Sequence, residues 1–130
     1  KEEPERVTIN FESDKPIYIQ VAEEIENGVL SGAFAEETQV PSTTEISVSY
    51  KINPATVLKG MNILVEEKVL YKKRGVGMFV ASGAAEQIRQ KRKENFFDHF
   101  ILDLIDEAEK LKLNKTELMQ LIEQGYSHRS

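Results

Sequence analysis

The strongest constraint in this sequence is helix punctuation, because two helix starts are written between residues 42 and 54. Ser42 precedes Glu45 by three positions, the spacing at which a capping hydroxyl and a carboxylate satisfy two orphan backbone amides reciprocally. Asn53 offers a second cap, and Pro54 stands at the first helical position, where its missing N–H costs nothing. The stretch PSTTEISVSY therefore predicts a short helix ending near Tyr50, followed after a tight turn by a capped helix running to about Glu67.

The flanks add three elements. From Pro16, Ile17, Val21, Ile25 and Val29 recur near helical spacing with Tyr18 and Ala22 beside them, Asp14 is placed to cap the start, and Gly32 to end the helix. In the helix after Asn53, Val57, Met61, Leu64 and Val65 share one face, which leaves Ala55, Thr56, Lys59 and Asn62 elsewhere on its circumference. VLYKK and MFVAS are β-prone runs around Arg74-Gly75-Val76-Gly77, where glycines permit a tight turn, and they predict a hairpin. Ahead of all this, residues 1–15 are charged, contain Pro4 and read as an exposed arm with a short strand over Val7–Phe11.

Helix, short helix, turn, capped helix and glycine-tipped hairpin, in that order, are the layout of a helix-turn-helix with a wing, whose second helix can enter the major groove. Charge agrees with the order. The chain is acidic, with a formal net charge of −5, but residues 51–74 hold Lys51, Lys59, Lys68, Lys72, Lys73 and Arg74 against only Glu66 and Glu67. Lysines alone describe any solvated surface, and glycines alone relieve turn strain. Their combination on one helix and hairpin is what a local phosphate-binding face requires.

Beyond Ser82-Gly83, residues Ala84 to about Leu111 contain few breakers and predict one long helix. Phe97, Ile101, Leu104, Ala108 and Leu111 follow the four-three spacing of a packing seam, widened by Phe96, Phe100, Leu102 and Ile105. Asn114 and Glu117 repeat the cap-plus-acid spacing, so a final short helix carries Leu118, Leu121 and Ile122 on one face to about Gln124, before Gly125 and a frayed SHRS tail. Two helices make a thin core. With Phe96, Phe97, Phe100, Ile101, Leu104, Ile105 and Ala108 crowded together, a second copy of the chain is the natural cover, and homodimerisation is expected. The expected division is residues 1–82 for the winged helix-turn-helix and 83–130 for the dimerisation helices, an α+β fold that is mostly α.

Several function classes lose their footing. The chain has no cysteine, which removes disulfides and thiolate chemistry. His99 and Asp103 stand at helical spacing, but no further ligands complete a metal set. Ser42 and Ser47 have no histidine partner in a nucleophile setting, Gly75-Val76-Gly77 is too short for a nucleotide loop, and adjacent exposed acids such as Glu36-Glu37 ordinarily do no chemistry. An enzyme is not expected, and nothing calls for a cofactor. The apolar runs are far too short to span a bilayer and KEEPERVTIN has no signal-peptide core, so the expectation is a cytoplasmic protein without a membrane partner.

KPIYIQVAEEIENGVLSGAF followed by VPSTTEISVSYKINPATVLKGMNILVEEKVLYKKRGVGMFV resembles the DNA-binding domain of GntR-family regulators over roughly residues 15–81. The KPIYIQ opening and the short tail resemble the YtrA branch. The resemblance implies DNA contacts from Ser42, Thr43 and Thr44 at the start of the second helix, and from Lys51, Asn53, Ala55, Thr56 and Lys59 around the recognition helix. It also implies contacts from Lys73, Arg74, Gly75, Val76 and Gly77 in the wing, with backbone approach to the minor groove. Thr44 departs from the family, which commonly has an arginine there, and Pro54 replaces a longer polar or basic residue.

What the resemblance implies is a transcription regulator, a repressor of a nearby operon that often encodes an ABC-type transporter, binding an inverted repeat of double-stranded DNA as a homodimer. The tail is too small for a large enclosed ligand pocket, so an unidentified small-molecule effector would act through the spacing of the two DNA-binding units. A winged helix that binds a protein instead of DNA is the competing expectation, because fold alone does not decide it.

Overall fold

The computed structural model describes residues 9–129. The strand expected over Val7–Phe11 falls partly on residues 7 and 8, outside that range, and residues 9–11 form no strand. Among the described residues the chain is mostly helical with one two-stranded sheet. It divides into two compact units, residues 1–90 and 91–130.

The first unit contains α1 (Ile17–Ser31), α2 (Thr43–Tyr50), α3 (Pro54–Glu66), β1 (Leu70–Lys73), β2 (Gly77–Val80) and the first turns of α4 (Ala84–Phe96). The apolar stripe of α1 buries Val21, Ala22, Ile25 and Val29. Asp14 does not cap this helix: Pro16 occupies the cap position and no side chain accepts from the first turn. Gln20 ties the entry instead, donating to the carbonyls of Lys15 and Asn10 at 2.9 and 3.0 Å and accepting from the Asn10 amide at 2.7 Å. At the other end Gly32 takes the left-handed conformation and closes the helix, as its place in the sequence implies.

The short helix and its successor form as their caps dictate. Ser42 Oγ accepts from the Glu45 amide at 3.0 Å while Glu45 accepts from the Ser42 amide at 2.7 Å. Lys51 turns the chain in the left-handed region, Ile52 is buried as the anchor of the turn, and Asn53 Oδ1 accepts from the Ala55 amide at 2.7 Å to start α3. Val57, Met61 and Leu64 of α3 are almost wholly buried, each contributing about 1.5–3 kcal/mol relative to exposure. Gly60 lets α3 press against α1, because a Cβ there would lie 2.6 Å from the Tyr18 carbonyl oxygen.

The hairpin pairs Leu70 with Val80 and Lys73 with Gly77. Its inner face carries Leu70 and Val80 into the core shared with α1 and α3, and Ala84 and Ile88 of α4 are buried in the same core. The winged unit therefore extends past the hairpin into the first turns of α4.

The one long helix expected from Ala84 to about Leu111 is continuous in the chain and changes in kind along its length. The end of α4 passes into a π-helical segment, Phe97–Ile101, and then α5 (Leu102–Lys110). Asn114 and Glu117 make the second reciprocal cap, at 2.9 and 2.8 Å, and start α6. That helix runs Lys115–Arg129, so Gly125 does not end it and residues 127–129 are helical rather than frayed. A glycine inside a helix costs about 1 kcal/mol against alanine but breaks nothing unless the backbone reverses there.

Candidate nucleic-acid interface

Three elements supply the residues expected to meet DNA: the start of α2, the first turns of α3 and the hairpin tip. Ser42, Thr44, Lys51, Asn53, Ala55, Lys59, Lys73, Arg74, Gly75 and Val76 are exposed, and Thr56 and Gly77 are half-buried. Thr43 differs from its neighbours. Its hydroxyl donates to Met61 Sδ at 3.6 Å, so the side chain joins α2 to α3 rather than standing free for a phosphate.

Two of the lysines are held by rings. Lys59 Nζ lies 4.1 Å from the centroid of Tyr18 on α1, and Lys73 Nζ lies 4.4 Å from that of Phe79 across the hairpin. A cation over an aromatic face keeps its charge while losing reach. Arg74, next to Lys73 at the turn, is exposed.

The wing is braced by residues that the sequence did not single out. Residues 37–40 run along β2: the Val80 amide donates to the Thr38 carbonyl, and the Val40 amide to the Met78 carbonyl. From this segment Gln39 Nε2 donates to the Val76 carbonyl at 2.9 Å and so grips the hairpin tip. Gly77 has φ of +145°, and a Cβ there would meet Gln39 Nε2. A side chain at this position is strained by the backbone and would push the Gln39 amide off the hairpin tip.

On the outer face Tyr71 stacks on Phe79 with ring centroids 5.8 Å apart. The Tyr71 hydroxyl donates to Glu37 at 2.8 Å, and this bond, with burial and the carboxylate's charge, raises the tyrosine pKa above its ordinary value. Glu36 reaches further. Its carboxylate accepts from the amides of Gly83 at 2.9 Å and Ala85 at 3.3 Å, capping α4 from a distant loop. Those amides, Gly83 first, hold the Glu36 pKa below the usual carboxylate value. The acidic pair is thus structural. No nearby pattern announces Gln39 or Glu36, because their partners lie far along the chain.

Of the residues expected to pair two protomers, Phe96, Phe97, Phe100, Leu104 and Ile105 are exposed, Ile101 is half-exposed, and Phe96 and Phe100 meet with centroids 5.5 Å apart. Ala108 is already buried within its own chain. Among the described residues no group of three or more His, Cys, Asp or Glu gathers as a metal site, and no helix is long and apolar enough to cross a membrane.

A winged helix-turn-helix with an exposed capped helix and a basic wing defines a DNA-binding transcription regulator rather than an enzyme. The model for the bacterial regulatory proteins of the gntR family matches residues 17–80. A transcriptional regulator of the GntR family from Bacteroides thetaiotaomicron has a solved structure that is 32% identical, with a TM-score of 0.72 over 88% of this chain and 99% of that one. The chain belongs to the GntR family. The transcriptional repressor NagR of Bacillus subtilis is 32% identical over 65% of this chain, which spans only 35% of NagR's own length. The DNA-binding domain of AraR, solved in complex with operator ORX1, is 27% identical, with a TM-score of 0.54 over 59% of this chain and 99% of that domain.

Proposed function

We propose that the chain is a cytoplasmic, homodimeric repressor of the YtrA-like branch that binds an inverted-repeat operator. The observation that carries this reading is the exposed, capped start of α3 on a core shared with a basic hairpin. Ser42, Thr44, Lys59 and the helix-start amides of α2 hold phosphates, Asn53, Ala55 and Thr56 face the major groove, and Lys73, Arg74 and the backbone of Gly75 to Gly77 approach the minor groove. Thr43 contributes through its backbone, since its hydroxyl is engaged with Met61.

DNA binding is assigned to residues 1–82 and pairing to residues 83–130, with Ala84 and Ile88 serving the winged core as well. Pairing through Phe96, Phe97, Phe100, Ile101, Leu104 and Ile105 gives a two-fold protein to match a two-fold site. Occupation of the operator then blocks transcription, and an effector would act on the pairing geometry.

Selection of binding sites from a random duplex pool, followed by titration of the selected site at two salt concentrations, tests the reading. The expected result is an inverted repeat whose affinity falls steeply with salt, because displaced counterions set the slope. Recovery of no duplex would point to the protein-binding alternative.

A further inference from the structure

We propose that Leu58 is a specificity-determining residue, reading the C5-methyl group of thymine in each half-site, an inference that rests on α3 being the recognition helix. Leu58 lies in the second turn of α3 and is 40% exposed, whereas the inward residues Val57 and Met61 are at 0% and 1%. A single exposed leucine is ordinary on a protein surface. Its surroundings set this one apart.

The polar groups around it are in part drawn back toward the chain. Asn53 spends its carbonyl oxygen on the Ala55 amide, Lys59 lies over the Tyr18 ring, and Thr56 and Asn62 are half-buried. Ala55, one turn before Leu58 and exposed, is apolar as well. The outward side of the first two turns of α3 therefore offers an apolar strip, Ala55 and Leu58, with basic residues Lys51 and Lys59 close in sequence to hold the backbone.

A leucine in the major groove has one apolar partner. Bases present donors and acceptors there, and thymine alone adds a methyl group. A strip of this chemistry selects A·T pairs at the bases beneath it and leaves the unsatisfied polar edges of G·C pairs at a disadvantage.

The test uses the full chain and the operator recovered from the random pool. Each thymine of a half-site is replaced in turn by uracil, which removes only the methyl group. At one or two positions the wild-type chain is expected to lose about fourfold in affinity, the worth of one buried carbon group. Leu58→Ala is expected to bind the thymine operator more weakly and to be indifferent to the same replacement, while Leu58→Met keeps the sensitivity. Circular dichroism verifies that both variants are folded.

A specific, salt-dependent operator insensitive to uracil everywhere would overturn the proposal and leave the regulator reading intact. Uracil sensitivity unchanged in Leu58→Ala would also overturn it, by assigning the methyl contact to another residue. Recovery of no operator would sink both readings together.

Discussion

The carboxylate of Glu36 holds the amides of Gly83 and Ala85 from 47 and 49 residues away, and it joins the loop before α2 to the start of α4. Its lowered pKa makes that link pH-dependent with a definite sign. A carboxylate whose folded pKa is depressed stabilises the fold above its ordinary titration range and loses that contribution as pH falls through the lowered value. Glu36→Gln is therefore expected to lower Tm by a few degrees at neutral pH and to flatten the fall of Tm under acid. Thermal unfolding followed from neutral pH to about pH 3, below the ordinary carboxylate pKa, checks this, and parallel curves for the two proteins would assign the acid response to other groups. The same scale shows why some residues were readable and others were not. Ser42 with Glu45, and Asn114 with Glu117, act across three residues and are visible by eye, whereas Gln39 finds Val76 at a separation of 37.

Among the elements, α2, α3 and the hairpin were legible because each begins or turns on a local signal: a cap, a proline at the first helical position, a glycine pair. Local signals also misled. Asp14 had the chemistry to cap α1, but the chain enters through Pro16 without a side-chain cap, and Gln20 ties the preceding segment to the helix instead. Gly125 had the chemistry to stop α6, but nothing reversed the backbone. The candidate site itself was read from residue type and order, and its bracing was missed because rings and long-range amides supply it. Within the proposed DNA face, Lys59 and Arg74 are separable. Arg74→Ala is expected to reduce the salt slope of operator binding by about one while lowering affinity for all sequences alike. Lys59→Ala is expected to do the same and also to remove the cation from the Tyr18 ring that links α3 to α1. Salt titrations of both variants decide it, and unchanged slopes would remove these residues from the interface.

For the whole molecule, acidity and DNA binding coexist because charge is segregated. The net charge is −5, yet the basic residues of 51–74 outnumber the acids there, so the approach of a duplex is favoured at that segment and opposed elsewhere. The proposed pairing follows the same logic of segregation, with aromatic side chains concentrated around Phe96–Phe100. Phe97→Glu together with Ile101→Glu is expected to give monomers that lose inverted-repeat binding and keep weak half-site affinity. Sedimentation would show this, and a persistent dimer would move the pairing surface elsewhere while leaving the DNA face untouched. The widened turn at Phe97–Ile101 resets the phase of the helix that carries it. A π-helical turn holds one more residue than the α-helix around it. Residues beyond it therefore stand where a regular helix would place the residue one position earlier, about 100° around the axis, so the aromatic and aliphatic side chains on its two sides do not continue one straight stripe.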